Sequence, residues 1–275
     1  MREELVVLAT LPAASDLFLT FPKLQRQNIA RVEIIDLYIP ESPDTFLKET
    51  NIAGGFCGQQ VIDAVDLTHA DSDLPVVAFY TDGNTTGRYD VYIAGHGGVV
   101  ATGRLDCLFR NLTNARSIDL ALLDTSSVTN MRHMFSSTSS LTSLDLSGFD
   151  TSNVTNMGGM FQETSSLKTL DVSGFDTSSV TLMHAMFFNA NSLTSLDLSG
   201  WDTSSVTRMD SMFCSASLKT LNFRRATFTN AINRTDMFTD SGIDTITVGS
   251  TAAQSFIQTA PGWSRTPPRK IVVEP

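Results

Sequence analysis

The chain has 275 residues, with 19 Lys and Arg against 29 Asp and Glu, which gives a formal net charge of −10. An acidic chain is repelled by phosphate backbones and by anionic lipid surfaces, so this balance argues against nucleic acid or an anionic membrane as the main partner. No apolar stretch approaches the ~18 residues that are needed to span a bilayer, which argues against membrane insertion.

Residues 1–75 contain no repeat and predict a small α+β module for attachment, for oligomerisation or as a cap. Leu5–Ala9 and Val32–Ile39 are rich in β-branched and aromatic residues, so they are predicted strands. Asn51–Gln60 predicts a loop, and Asp63–Asp73, with four aspartates, predicts solvated surface or a turn.

The first residues, Met1–Leu11, do not have the pattern of a signal peptide. Acidic residues occupy the place of the positive segment, and Pro12 ends a short apolar run. Three explanations remain open: a sequence whose leader has been removed, a cytoplasmic protein, or a virion protein that is released by lysis.

Two segments that follow, Pro75–Thr81 and Arg88–Ala94, predict the strands of a hairpin. Asp82–Gly87 between them contains Asp-Gly and Asn, which favour tight turns. We expect residues 76–104 to cover the N-terminal end of the structure that comes next.

The middle of the chain, residues 76–249 with this hairpin, is dominated by a repeat. The segment Asp124–Phe135 recurs three times, and a second segment, Leu141–Leu146, recurs between the copies. Weaker copies precede and follow them, so we number six repeats by their phenylalanines: Phe109, Phe135, Phe161, Phe187, Phe213 and Phe238, 26 residues apart except for the last step of 25. Such a period predicts a solenoid, in which each unit buries its apolar face against its neighbours.

Each repeat combines two apolar patterns. Leu144 and Leu146 alternate with polar residues, as in a strand. Val128, Met131 and Met134–Phe135 form one stripe of a short helix, whose start the preceding Asp-Thr-Ser run would cap. The sequence therefore predicts an α/β solenoid, a leucine-rich-repeat-like right-handed superhelix with one narrow parallel sheet and short helices on the opposite wall.

The letters of the unit carry a family resemblance. Asp124-Thr-Ser-Ser-Val-Thr-Asn-Met-Arg-His-Met-Phe135, followed by Ser140-Leu-Thr-Ser-Leu-Asp-Leu-Ser-Gly-Phe149, resembles the BspA-like leucine-rich repeats of bacterial surface proteins and lipoproteins. The resemblance covers roughly Leu105–Val248. It implies a non-enzymatic recognition surface, as in adhesins that bind host matrix proteins or other microbes, and it carries over no catalytic residue. Those proteins are usually exported, whereas this chain shows no export signal.

Residues 250–275 are expected to close the C-terminal end. Ala252–Thr259 predicts a short helix, Pro261–Pro268 a loop around Trp263, and Lys270–Val273 a last strand.

The candidate binding site is a column of polar residues that face outward from successive strands. Uncompensated like charges in such a column are destabilising, so it either binds a basic protein patch, a glycan or a cation such as Ca²⁺, or is satisfied by neighbouring Ser and Thr hydroxyls as a structural ladder. The column comprises Asp119, Ser143, Asp145, Thr169, Asp171, Ser195, Asp197 and Asn222. A second column, Asp124, Asp150, Asp176 and Asp202, predicts turn and cap chemistry.

No catalytic arrangement is predicted. Three cysteines form no C-x-x-C pair and predict buried or half-buried free thiols, and four histidines have no metal-ligand spacing, His133 and His184 being expected to face solvent. We expect no enzyme activity, no metal and no cofactor. The three cysteines are Cys57, Cys107 and Cys214, and the four histidines are His69, His96, His133 and His184.

Two functions are compatible with the sequence. The first is a recognition or adhesion protein that presents its Ser/Thr/Asp-rich face to a protein or glycan at a cell surface. The alternative is a structural or decoration component of a phage or virion, in which residues 1–75 anchor the chain or form a homo-oligomer and the repeats project.

Overall fold

The computed structural model describes residues 6–8, 24–37, 61–66, 76–81, 88–95, 98–264 and 268–274. The predicted loop Asn51–Gln60, the hairpin turn at 82–87, Cys57, His69 and His96 lie outside these residues. Within them the chain is mostly parallel sheet with a single α-helix, and no closed barrel forms.

The strands form three sheets, ordered β3-β4-β5-β2-β7, β1-β6-β8 and β9-β10-β11-β12. All neighbours are parallel except β3 with β4 and β4 with β5. A 3₁₀ turn, Arg26–Asn28, precedes β2. The elements are β1 (Val6–Leu8), β2 (Ile29–Asp36), β3 (Val61–Asp66), β4 (Val76–Thr81), β5 (Tyr89–Gly95), β6 (Val99–Arg104), β7 (Ser117–Asp119), β8 (Leu123–Asn130), β9 (Ser195–Asp197), β10 (Thr220–Phe223), β11 (Thr245–Val248), α1 (Thr251–Gln258) and β12 (Lys270–Val273).

Several predicted elements outside the repeats are confirmed. Strand β1 lies within the predicted Leu5–Ala9, and β2 overlaps the predicted Val32–Ile39 but begins three residues earlier. Strands β4 and β5 form the antiparallel hairpin, and α1 and β12 form the C-terminal helix and strand. The acidic run Asp63–Asp73 was wrongly predicted in its first part, because β3 includes Asp63–Asp66 and pairs with β4. Main-chain pairing there outweighs the low strand preference of aspartate.

The strand next to the first repeat is β2 rather than the hairpin. Val32 pairs in parallel register with Ile118 of β7. Ile29, Val32 and Ile34 are buried in the same core as the repeats. The described part of the N-terminal region therefore continues the packing of the repeats.

The short helices predicted in each repeat do not form. Residues 131–138 make consecutive turns, in which Met134 N–H donates to the Met131 carbonyl (3.2 Å) and Ser136 N–H to the His133 carbonyl (3.1 Å), three residues back instead of four. His133 and Ser137 have φ of 54° and 60°, which a right-handed helix excludes. Consecutive turns bury the same apolar residues that a helix would bury. They are possible here because the carbonyls of the next repeat accept the N–H groups that the turns leave free.

Those N–H groups link successive repeats. Met131, His133, Phe135 and Ser137 donate to the carbonyls of Asn156, Gly158, Met160 and Gln162 at 2.8–3.0 Å, and the pattern recurs in the other repeats. We call this series of turns the turn wall. Every second N–H thus bonds between repeats and every other one within a turn, so the wall satisfies its backbone without helix or regular sheet.

The opposite wall, which we call the sheet face, is split. The predicted strands form as β7, β9, β10 and β11 in repeats 1, 4, 5 and 6, but the equivalent segments of repeats 2 and 3 are not strands. The prediction of one narrow sheet is therefore wrong: β7 belongs to one sheet and β9 to another.

Aromatic rings run through the core. The phenylalanines of the six repeats stack with centroid separations of 5.5–5.8 Å and interplanar angles of 4–20°. Phe109, Phe135, Phe161, Phe187, Phe213 and Phe238 are all fully buried.

Both ends of the turn wall have caps. Arg26 Nη1 donates to the carbonyls of Leu108 (3.4 Å) and Arg110 (2.5 Å), the groups that a preceding repeat would have used. At the other end, Phe238 N–H donates to the Pro261 carbonyl at 3.2 Å.

Candidate functional site

The predicted polar column lies on the sheet face, and its acidic members share one hydrogen bond. Asp119, Asp145, Asp171, Asp197 and Asn222 are each exposed or half-buried, and the Oδ1 of each accepts the backbone N–H two residues further on, at 2.8–3.1 Å. This is the Asx turn that Asp and Asn favour where a strand ends. One oxygen of each side chain therefore has a structural task.

These hydrogen bonds keep the column acidic. The backbone N–H of Ser147 lowers the pKa of Asp145 below its ordinary value, and the hydroxyl and N–H of Ser173 do the same for the pKa of Asp171. The Asp171 charge opposes the shift at Asp145, so the two carboxylates face the same region. Both groups are carboxylates at neutral pH.

The backbone between these side chains is open in repeats 2 and 3. Among the described residues, the N–H groups of Ser143–Leu146 and Thr169–Val172 have no acceptor, and the carbonyls of residues 143–145 and 169–171 have no donor. Repeats 2 and 3 are joined at the start of these segments, where Lys168 N–H donates to the Thr142 carbonyl at 3.2 Å. The segments then separate.

Three clefts occupy the resulting gaps. The largest of the three, about 490 Å³, lies between repeats 1 and 2, and its lining includes Asp119, Ser143, Asp145 and Arg116. Two more, of about 400 and 190 Å³, lie between repeats 2 and 3 and are lined by Asp145 and Asp171. Five of the eight predicted site residues are brought together here: Asp119, Ser143, Asp145, Thr169 and Asp171. Ser195, Asp197 and Asn222 lie instead on strands β9 and β10, which pair with each other.

The two histidines of the repeats occupy an unexpected position. His133 and His184 were predicted to face solvent, but both are half-buried on the turn wall, on either side of repeat 3. Repeat 3 has Gly158 and Gly159 there, and a Cβ on Gly158 would clash with the His184 ring and one on Gly159 with the His133 ring. The missing side chains of this Gly-Gly pair make room for both imidazoles.

The imidazoles resist protonation. Burial, reinforced by the charges of Arg132 and Arg110, lowers the pKa of His133 to about 4. Burial, with Arg208, also lowers the pKa of His184, and Asp210 opposes that shift. Within the described part of the chain the two Nδ1 atoms are buried without a hydrogen-bond partner. At His133 a backbone hydrogen bond with Gly159 opposes part of the pKa shift.

The other predictions for polar and sulfur-containing residues have different outcomes. Each Asp of the second column accepts the Ser N–H two residues on, at 2.8–2.9 Å. The predicted turn is confirmed at Asp150, Asp176 and Asp202 and is wrong at Asp124, which lies in strand β8, and the helix-capping role is wrong because no helix follows. Cys107 and Cys214 are half-buried free thiols, as predicted. No group of three or more His, Cys, Asp or Glu side chains arranged to hold a metal occurs among the described residues.

Comparison with known proteins gives one similarity. The chain is similar, over residues 104–228, to the family described as "Mycoplasma protein of unknown function, DUF285"; this is a little under half of its 275 residues. No curated protein and no solved structure matches. In the described part of the chain, no helix has the length and hydrophobicity to cross a membrane.

Proposed function

We propose that the protein is a non-enzymatic recognition or adhesion protein whose sheet face binds a protein or glycan at a cell surface. The observation that carries the proposal is the open region of this face, where the Asp119, Asp145 and Asp171 column lines clefts of about 490 and 400 Å³. Concave, partly polar surfaces of this kind are where binding proteins seat their ligands.

The finer architecture belongs to the same proposal. We infer that the six repeats form a leucine-rich-repeat-like, right-handed solenoid of the BspA-like type. The recurring bonds between repeats and the phenylalanine column support it, because each unit buries its apolar residues only against its neighbours. The two walls are then a turn wall and a sheet face instead of a helical wall and a sheet.

A direct test compares two bulky substitutions. Thr169→Trp fills the cleft region of the sheet face, and Ser179→Trp places the same ring on an exposed residue that does not line the clefts. Labelled protein would be applied to arrays of glycans and extracellular-matrix proteins. We expect Thr169→Trp to abolish the captured signals and Ser179→Trp to retain them. Absence of any ligand, or equal loss in both variants, would refute the proposal.

The alternative function, a component of a virion or other particle anchored by residues 1–75, stays a prediction. Burial of Ile29, Val32 and Ile34 in the shared core favours a capping role for this region. Size-exclusion chromatography with light scattering on the full chain discriminates the two functions: a monomer favours recognition, and a trimer or larger assembly favours the particle.

A further inference from the structure

We propose that the open region of the sheet face binds an extended, basic polypeptide segment, whose main chain pairs with the unpaired N–H groups of residues 143–146 and 169–172 and the unpaired carbonyls of 143–145 and 169–171. The inference rests on the proposed recognition function and specifies its ligand class. It uses features of repeats 1 to 3 that the other repeats lack.

The backbone supplies the first argument. The N–H groups of Ser143–Leu146 and Thr169–Val172, and the carbonyls of 143–145 and 169–171, have no hydrogen-bond partner among the described residues. Strand β7 on one side and β9 on the other are the terminal strands of their sheets, so their edges toward these segments are open as well. An extended peptide offers alternating donors and acceptors at the ~3.3 Å repeat of a strand. A glycan offers hydroxyl groups without that regular alternation.

The lining of the clefts supplies the second argument. Leu144 is 9% exposed and Leu170 is half-buried, and both line the cleft between repeats 2 and 3. A peptide strand directs alternate side chains to opposite sides. One set of small or apolar side chains would therefore face these leucines while the other set faces the rim.

Charge identifies the second set. Asp119, Asp145 and Asp171 line the clefts, whereas Arg116 is the single basic residue in the lining that is described. Asp145 and Asp171 are held in the ionised form by their Asx turns. Lysine or arginine at alternate positions of the bound segment would complement them.

The premise is tested first on the free protein by hydrogen exchange. We expect the amides of 143–146 and 169–172 to exchange rapidly, and those of Met131 and Phe135, bonded to repeat 3, to be protected. Equal protection of both groups would mean that the sheet face is closed, and would overturn the inference.

Binding is tested by fluorescence anisotropy with a labelled decapeptide of alternating Lys and Thr, with its Glu-Thr counterpart as the control. We expect only the basic peptide to bind and to protect the open amides. The variant Asp145→Asn/Asp171→Asn keeps the Asx oxygens and removes two charges, so it should weaken binding about tenfold, roughly threefold for each exposed charge.

A proline substitution separates backbone pairing from charge. Ser143→Pro removes an N–H that no described residue uses, so it should leave the fold intact and abolish peptide protection of the cleft. Thr220→Pro removes an N–H that donates to the Thr194 carbonyl, at 3.4 Å, and should destabilise the protein. Full binding by Ser143→Pro would overturn the inference. Capture of glycans by the wild type without binding of either peptide would overturn it too, and would leave the proposed recognition function standing.

Discussion

The phenylalanine column predicts a large and localised cost for one truncation, Phe161→Ala. Phe161 is fully buried, and its ring stacks on Phe135 at 5.8 Å and on Phe187 at 5.7 Å. Removal of a buried phenylalanine side chain costs about 3–5 kcal/mol, from lost burial and the cavity that remains. Two stacked partners contribute beyond the buried area, so we expect a loss in the upper half of that range.

The measurement is equilibrium unfolding in urea, followed by circular dichroism, with Phe161→Leu as the matched control. Leucine keeps most of the apolar volume without the ring, so we expect it to lower the free energy of unfolding by only about 1–1.5 kcal/mol. A loss below about 1.5 kcal/mol for Phe161→Ala, or equal losses for both variants, would refute the stacking argument.

Three further predictions follow from the turn wall. The pKa of His133 is lowered in the folded state, so between pH 6.5 and about 4 only the unfolded chain takes up a proton, and the free energy of unfolding should decrease as the pH falls through that window. His133→Asn should reduce this decrease by about 1–2 kcal/mol, a figure discounted for a half-exposed group, in urea unfolding at a series of pH values. An unchanged pH dependence in the variant contradicts the prediction. Ala185 has φ of 51°, so Ala185→Gly should stabilise the protein by about 0.5–1 kcal/mol. Gly159 has φ of 64° and lies against the His133 ring, so Gly159→Ala should destabilise the protein. Thermal unfolding measures both variants, and midpoint shifts of the same sign would count against the assigned turns. Arg26→Met should lower the free energy of unfolding by about 1 kcal/mol, because the hydrogen bonds to the repeat 1 carbonyls are lost. Urea unfolding measures the loss, with Arg31→Met as the control, and equal losses in the two variants would argue against the cap.

The repeat period and the buried columns were predictable because they depend on side-chain hydrophobicity alone. Met131, Phe135 and Leu146 are buried as the pattern requires. The helices were mispredicted because the same apolar spacing fits consecutive turns. The choice between the two depends on carbonyls 25 residues ahead, such as Asn156 for Met131, which no local window contains.

The exposure of the acidic column was predictable from the sequence, but the clefts beside it were not. Asp145 and Asp171 lie on the expected face, but the Leu-Thr-Ser-Leu-Asp-Leu segment is identical in repeat 2, which forms no strand, and in repeat 4, whose strand pairs with repeat 5, so it carried no signal for the clefts. The histidine packing did have a signal. Alignment of the repeats places Gly158-Gly159 beside Arg132-His133 on one side and His184-Ala185 on the other, and two adjacent glycines between two histidines indicate room for rings.

The two caps of the turn wall give the stack a direction. Along Met131–Ser137 and its equivalents, each repeat donates N–H groups to the repeat that follows, so the first repeat is left with acceptors and the last with donors. The guanidinium of Arg26 only donates, and the carbonyl at Pro261 only accepts, so each cap suits one end and not the other. A repeat inserted between any two others leaves both ends unchanged. The length of the sheet face is thus free to vary by whole units, while the chemistry that stops the stack stays the same.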